Sequence, residues 1–263
     1  MHKTKLEKSL PDGLFLGNEN KELLTKAIDQ YHAHGLTIVA ISNKKPIEPW
    51  KQLTPRTGKE FIDFHTDSKL NGIAVIQGKP NDEGYAQFTF DFDLKGKEVF
   101  KAFKYKAKEQ GITLNNPLVV STNKGVHVTI WAKPQDMRDA LNDRPYILAK
   151  SKDAKVIIEI RGENNLITKP LSWGSNNHRY TSNKDFEGYP IDGWTSCRCN
   201  TEQLKALIAI AEWFNEFIDA PRVNIPSIAD IATSPQDDST GQGQAEGHQE
   251  ATSKAKGISG QSK

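Results

Sequence analysis

One alternating segment constrains the fold of this chain more than any other feature. Aromatic and polar residues take turns along it, in the order Phe88, Thr89, Phe90, Asp91, Phe92, Asp93. Because successive side chains of a strand point to opposite faces, the pattern predicts a core β-strand with both carboxylates on one face. Two carboxylates roughly 6.5 Å apart along a strand repel each other, and a divalent cation such as magnesium or manganese relieves that repulsion. A strand end with both acids solvated is the alternative.

The composition excludes several classes of protein. The chain has 263 residues, with 35 Lys and Arg against 33 Asp and Glu, so any surface for nucleic acid must be a local patch rather than a global field. Cys197 and Cys199 are the two cysteines, which excludes a disulfide framework. No signal peptide and no apolar run of membrane length is evident. We therefore expect a soluble, cytoplasmic protein.

The order of hydrophobic patterns predicts one mixed α/β (α+β) domain. Helices are expected at 20–34, 58–65, 97–110, 136–150 and, with Thr201 as N-cap, 201–218. Strands are expected at 36–41, 72–77, 86–93, 118–121, 126–131 and 155–160. We expect a catalytic domain over 1–200, a C-terminal helix within 201–222, and a disordered tail over 223–263 that is rich in Gln, Gly, Ser and acidic residues.

Two further predicted strands also carry polar side chains on one face. His127 shares a face with Thr129, and Glu159 shares a face with Arg161. A third carboxylate can complete a two-metal site that holds a phosphoryl group. The turn at 121–125 is small and basic, which suits triphosphate oxygens. Taken singly, the same residues are also typical of an exposed ion pair and of a core histidine.

This ordered set resembles the archaeo-eukaryotic primase superfamily, and most closely its primase-polymerase branch of plasmids, phages and mobile elements. The resemblance covers about 36–180. Its three motifs correspond to Phe90–Asp93, Ser121–His127 and Ile158–Gly162. Weaker likenesses fall at Gly35–Val39, Lys45-Pro46 with Trp50, Gly72–Gly78, Lys169–Ser172 and Tyr180. The chain departs from the family pattern in its Glu159, where Asp is commoner, in the single glycine of its second motif, and in Leu171, where proline is usual.

The resemblance implies an N-terminal αβ unit packed on an RRM-like catalytic sheet. It also implies a template-dependent nucleotidyltransferase that makes primers or extends DNA. Two Mg²⁺ or Mn²⁺ ions would be held by Asp91, Asp93 and Glu159. The nucleotide-binding residues would be Ser121, Lys124, His127, Arg161 and Ser172. The expected partners are a single-stranded DNA template, nucleoside triphosphates, a single-strand-binding protein and a separate helicase, since the chain has no phosphate-binding loop of the helicase type.

Other interpretations of the sequence remain open. His32 and His34 fit the His-hydrophobic-His pattern of rolling-circle initiators and relaxases, although they end a predicted helix rather than lie on a strand. A catalytically inactive nucleotide- or nucleic-acid-binding module is a further alternative. Cys197 and Cys199, with His178, could be part of a zinc site, but their one-residue spacing favours ordinary reduced cysteines. The lysine face of the 97–110 helix could carry template phosphates or simply be solvated.

Overall fold

The structure is a computed structural model, and it describes residues 18–66, 68, 70–173, 179–182 and 197–216. Five helices lie within these residues: α1 Asn18–Ala33, α2 Gly58–Phe64, α3 Gly96–Glu109, α4 Pro134–Leu141 and α5 Thr201–Glu212. The strands are β1 Ile38–Ser42, β2 Lys45–Pro46, β3 Gly72–Ile76, β4 Ala86–Phe92, β5 Leu118–Ser121, β6 Val126–Ala132, β7 Ile147–Lys150, β8 Val156–Arg161, β9 Leu166–Thr168 and β10 Thr181–Ser182.

The strands form two antiparallel sheets. The smaller has the order β2-β1-β3-β9, and the larger has the order β10-β5-β6-β4-β8-β7. The predicted mixed α/β class is confirmed. Within the larger sheet the chain runs β4-α3-β5-β6-α4-β8, with β7 added at one edge, which is the β-α-β-β-α-β order of ferredoxin-like folds.

The two faces of β4 meet different surroundings. Its aromatic face packs against α3, where Phe90 lies 5.8 Å from Phe103 and Phe92 lies 5.3 Å from Phe100, measured between ring centroids. Helices α4 and α5 contribute to the same apolar cluster. The opposite face carries Asp91, and part of it is covered by the smaller sheet. The alternation in the sequence therefore separates a hydrophobic core from a polar layer across one strand.

The structure corrects one predicted helix. The segment expected to be helical over 136–150 divides into α4, which ends at Leu141, and the strand β7. Asn142 and Asp143 both take left-handed backbone conformations, with φ of 43° and 63°, and this ends the helix. Pro145 follows and cannot donate a backbone hydrogen bond.

The last helix begins as predicted, but its cap differs by one residue. The N-cap of α5 is Asn200 rather than Thr201, and Asn200 and Gln203 form a reciprocal capping box. The helix predicted over 201–218 is also too long, because α5 ends at Glu212 and residues 213–216 are not helical. The part of the predicted 201–222 segment beyond residue 216, the 223–263 tail and His178 lie outside the described residues.

The close contact between β4 and the turn before β6 gives a test of the fold. A Cβ atom on Gly125 would lie 1.8 Å from the carbonyl oxygen of Phe92, so Gly125→Ala must push the two strands apart. We expect it to lower the free energy of unfolding by about 3 kcal/mol or more, measured by urea denaturation.

Gly84→Ala is the matched control, because a Cβ there meets nothing within 4 Å and only its φ of +79° opposes the change. Its cost should be about 1–2 kcal/mol. Equal losses in the two variants would contradict the close contact.

Candidate active site

The register of the larger sheet brings the acidic residues together. Asp91, in the central strand β4, lies directly opposite His127 of β6 on one side and Glu159 of β8 on the other. Asp93 follows the end of β4, where its N–H donates to the carbonyl oxygen of Ile157 at 3.0 Å and continues the ladder. One carboxylate oxygen from each of Asp91, Asp93 and Glu159 lies within 4.8 Å of the others.

These carboxyl groups are held where ionisation is unfavourable. Burial raises the pKa of Asp91, which is 6% exposed. Loss of solvent also raises the pKa of Asp93 and of Glu159, and the negative charge of Asp91 adds to the rise in both. The cluster therefore has an excess of negative charge that a cation would compensate.

Arg161 supplies part of that compensation. Its Nε lies 3.4 Å from Oδ2 of Asp91, and its Nη2 contacts Oε1 of Glu159. The guanidinium charge opposes the rise in the pKa of both carboxyls. The sequence predicts that Arg161 binds phosphate. In this structure its guanidinium is instead paired with Asp91 and Glu159.

His127 is buried beside the acids in its neutral form. Its Nε2 lies 3.5 Å from Oδ1 of Asp91, and its ring centroid lies 6.0 Å from that of Tyr180. Burial, followed by the positive charge of Lys169, lowers the pKa of His127 to about 3. At neutral pH the ring is a hydrogen-bonding group rather than a cation.

The turn between β5 and β6 is closed by its own hydrogen bonds. The N–H of Thr122 donates to the carbonyl oxygen of Gly125 at 3.0 Å, and the N–H of Gly125 donates to Oγ1 of Thr122 at 2.9 Å. Ser121 is half-buried at the end of β5, and Lys124 is exposed in the turn. Gly125 packs against the backbone of Phe92, so the turn lies next to Asp93.

Ser172 is placed differently from the other predicted nucleotide-binding residues. It is fully buried, and its hydroxyl accepts from the N–H of Ile73 and donates to the carbonyl oxygen of the same residue. Both hydrogen bonds of the Ser172 hydroxyl are thus made to the backbone of β3, and a role of Ser172 in nucleotide binding stays a prediction.

Lys44 is a site residue that the sequence did not single out. It lies in the β1–β2 turn with φ of 65°, and its Nζ lies 6.0 Å from the ring centroid of Tyr180. Its charge opposes the raised pKa of Asp91 and of Asp93. The only available signal was its position next to Lys45-Pro46, and a turn lysine is ordinarily solvated.

Other candidate residues lie away from the acids. His32 and His34 lie at and just after the last turn of α1, and the ring centroid of His34 is 6.1 Å from that of Trp131. Cys197 and Cys199 are buried free cysteines. The exposed lysines of α3 lie beyond the aromatic face of the larger sheet, on the side opposite Asp91: Lys97, Lys101, Lys104 and Lys108. None of the helices in the described part of the chain is long and apolar enough to cross a membrane.

The acidic cluster fits a hard divalent cation. Two oxygens on opposite sides of one magnesium ion are about 4.2 Å apart, close to the 4.8 Å within which the three ligand atoms lie. All three ligands are carboxylates, which suit magnesium and manganese better than zinc or copper. Within the described residues, this is the one group of three or more acidic, histidine or cysteine side chains close enough to share an ion.

Comparison with known proteins gives a limited result. No family model matches the chain, and no curated protein matches it in sequence. Among solved structures, it is similar to the polymerase domain of Mycobacterium tuberculosis Ligase D in complex with DNA. The two are 11% identical, the match covers 77% of this chain and 93% of that one, and the TM-score is 0.37. A likeness this weak carries no argument about activity.

The acidic cluster predicts a specific response to metal. Because the folded pKa of Asp91 lies above its unfolded value, the cost of its charge is present at neutral pH and disappears as the pH falls below the ordinary range of an aspartate. We expect Asp91→Asn to raise the melting temperature of the metal-free protein by a few degrees. Millimolar Mn²⁺ should raise the melting temperature of the original protein and leave that of the variant nearly unchanged.

Asp82→Asn is the control for this experiment, because Asp82 is exposed and lies outside the cluster. It should keep the full response to Mn²⁺, measured by differential scanning calorimetry. An equal response of Asp91→Asn and Asp82→Asn would show that the ion binds elsewhere.

Proposed function

We propose that this protein is a template-dependent nucleotidyltransferase of the primase-polymerase type, which makes primers or extends DNA. The observation that carries the proposal is the meeting of Asp91, Asp93 and Glu159 on one face of an antiparallel sheet. Three facing carboxylates are costly to keep together, and phosphoryl transfer is a reaction that uses such a set. The motif order of the sequence and the β-α-β-β-α-β course of the larger sheet support the same family.

The arrangement also supports the division of roles. Asp91, Asp93 and Glu159 would hold Mg²⁺ or Mn²⁺, which when bound would activate the attacking hydroxyl and neutralise charge on the leaving pyrophosphate. His127 would orient the triphosphate from the face that carries the acids, and Lys124 would do so from the turn beside it. Ser121 would join them from the end of β5, although it pairs with Val126 and so belongs to the opposite face of the sheet. Arg161 would exchange part of its contact with the acids for a phosphate oxygen.

The partners are part of the same proposal. A single-stranded DNA template would cross the acidic face, and nucleoside triphosphates would bind beside His127. The lysines of α3 are not part of this template path, because they lie beyond the opposite face of the sheet. A separate helicase and a single-strand-binding protein would prepare the template during replication of a plasmid, virus or mobile element.

The acids should be essential for incorporation of nucleotides on a single-stranded template with Mn²⁺. We expect Asp91→Ala, Asp93→Ala and Glu159→Gln each to lower kcat/KM by about a thousandfold or more, equivalent to a loss of about 4 kcal/mol of transition-state stabilisation. Asp82→Ala should retain activity within about twofold. The assay is run with and without a supplied primer, which separates extension from priming.

The proposal fails if the purified protein makes no product on any supplied template, or if Asp91→Ala leaves product formation unchanged. Nicking of an origin hairpin with covalent attachment through a tyrosine would instead favour the relaxase alternative. Binding of nucleotide without any chemistry would favour the inactive module.

Lys44 and Lys45 provide a matched pair for testing the triphosphate site. The charge of Lys44 opposes the raised pKa of Asp91 and Asp93, whereas Lys45 is not among the charges that shift either pKa. We expect Lys44→Ala to raise the KM for nucleotide by about tenfold with kcat changed less than threefold, because a fixed charge binds ground state and transition state alike. Lys45→Ala should change KM less than twofold, and the reverse ranking would assign the triphosphate to another surface.

A further inference from the structure

A groove that the proposed chemistry does not use lies near the start of β4, at the other end of that strand from Asp93. It has a volume of about 740 Å³, is open to solvent, and lies where the segment after β3 meets the start of α4 and the β8–β9 loop. Gly78 lines it and donates its N–H to the carbonyl oxygen of Gln87 at 2.9 Å. Gln87 precedes Asp91 by four residues, so about 14 Å of strand separates the two. The volume is in the range of ligand sites.

The groove has an excess of positive charge. Cations outnumber carboxylates in its lining, which contains Lys51, Lys79, Lys133 and Arg138 with Glu163. Nη1 of Arg138 lies 2.6 Å from Oε1 of Glu163, so this pair is neutral overall. In the part of the chain that the structure describes, the three lysines have no carboxylate within ion-pair distance. The whole chain has a formal charge of only +2, so the excess is local and suits an anion.

The walls of the groove are held in place by contacts within the protein. Nζ of the half-buried Lys79 donates to the carbonyl oxygen of Leu53 at 2.6 Å, which ties the segment after β3 to the loop before α2. Gly78 has φ of 73°, and a Cβ there would lie 2.6 Å from the backbone of Glu163, so the same segment packs directly against the β8–β9 loop. Binding to such preformed walls costs little conformational entropy. The ammonium of Lys79 keeps further donors for a ligand.

Trp50 adds an aromatic surface to the same groove. It is half-buried, and three other apolar residues line the groove with it: Ile76, Pro80 and Pro134. A phosphate ion alone would need only the cations. Cations beside a partly exposed aromatic ring are the combination that holds single-stranded nucleic acid, because charge binds the backbone while an unpaired base stacks on the ring. The bases of a duplex are already stacked on one another and do not reach such a ring.

Two plainer explanations account for less of the groove. Lysines kept for solubility are ordinarily solvated, whereas Lys79 is half-buried and hydrogen-bonded, and the other two come from separate segments of the chain. A pocket for a free nucleotide encloses most of its ligand, whereas this groove is open and lets a strand enter and leave.

We propose that this groove binds a single strand of nucleic acid away from the acidic face, with backbone phosphates on Lys51, Lys79 and Lys133 and a base stacked on Trp50. The inference goes beyond the proposed function, because it requires neither the acids nor a metal ion. In a polymerase, this second contact would raise the affinity for the template by holding the same strand at two places.

The test removes two of the groove lysines together, as Lys51→Gln with Lys133→Gln. Both side chains are exposed, and Lys133 makes no side-chain cap for α4, so the fold should tolerate the change. The matched control is Lys101→Gln with Lys108→Gln, which removes two exposed lysines from α3. Binding of a fluorescein-labelled oligothymidylate of about twelve nucleotides is followed by anisotropy at several salt concentrations, in EDTA so that the acids hold no metal.

We expect the groove variant to raise Kd about twentyfold at roughly 0.1 M salt. The slope of log Kd against log salt should become shallower by about 1.4, because two phosphate contacts are lost from a single strand. The α3 control should change Kd less than about threefold and leave the slope unchanged. Trp50→Leu should raise Kd about tenfold with no change of slope, since it removes stacking rather than charge.

Unlabelled competitors identify the ligand. A single strand should displace the labelled one, whereas a duplex of the same length and thymidine triphosphate at equal phosphate concentration should displace it at least about tenfold less well. Equal displacement by the duplex or by the triphosphate would overturn the assignment to a single strand. Equal losses in the groove variant and the α3 control would reduce the effect to general attraction of charge and would also overturn it.

The two proposals of this chain fail separately. Nucleotide incorporation with an unchanged Kd and slope in the groove variant would sink the groove alone. Binding that depends on Lys51 and Lys133, without any product, would sink the polymerase alone. Melting temperatures of all variants are measured first. If Trp50→Leu does not fold, the lysine pair and its control still decide the matter.

Discussion

The antiparallel register on both sides of β4 is the constraint on which the rest of this structure depends. Asp91 faces His127 across one edge of that strand and Glu159 across the other. A slip of one residue in either pairing would turn the partner side chain toward the aromatic core. The register is held because Phe90 and its neighbours must face α3, so the packing of the core and the assembly of the acids are one requirement rather than two.

The same register creates an electrostatic conflict. Carboxylates that face each other on a half-covered sheet repel, and the raised pKa of each shows that their ionised forms are disfavoured. Arg161 and Lys44 reduce this cost without removing it. A site whose carboxylates are not neutralised by neighbouring side chains binds a divalent cation more tightly than a site that is already neutral. This is the physical basis for expecting a hard metal ion here.

The sequence predicted the parts of the site that follow from local alternation. Period-two patterns located Asp91, His127 and Glu159 on strands with the correct faces, because that information lies within a few neighbouring residues. It could not show that β4 lies between β6 and β8, since pairing across the sheet depends on tertiary packing. The boundary of α4 was missed for a related reason. The left-handed conformations of Asn142 and Asp143 are permitted rather than required by their side chains, so the sequence pattern predicts a helix that continues into β7.

Lys44 and Lys169 show the limit of sequence reasoning more sharply. One is a turn residue and the other follows a short strand, and neither context distinguishes a functional lysine from a solvated one. The two lysines are distinguished by where the smaller sheet packs against the larger. This packing places Lys44 near the open side of the acids and Lys169 in the covered layer beside Thr129. A lysine on the surface can be kept for solubility alone. Lys169 has no exposed surface and a hydroxyl as its side-chain partner, so solubility does not explain it, and only the packing of the two sheets reveals this.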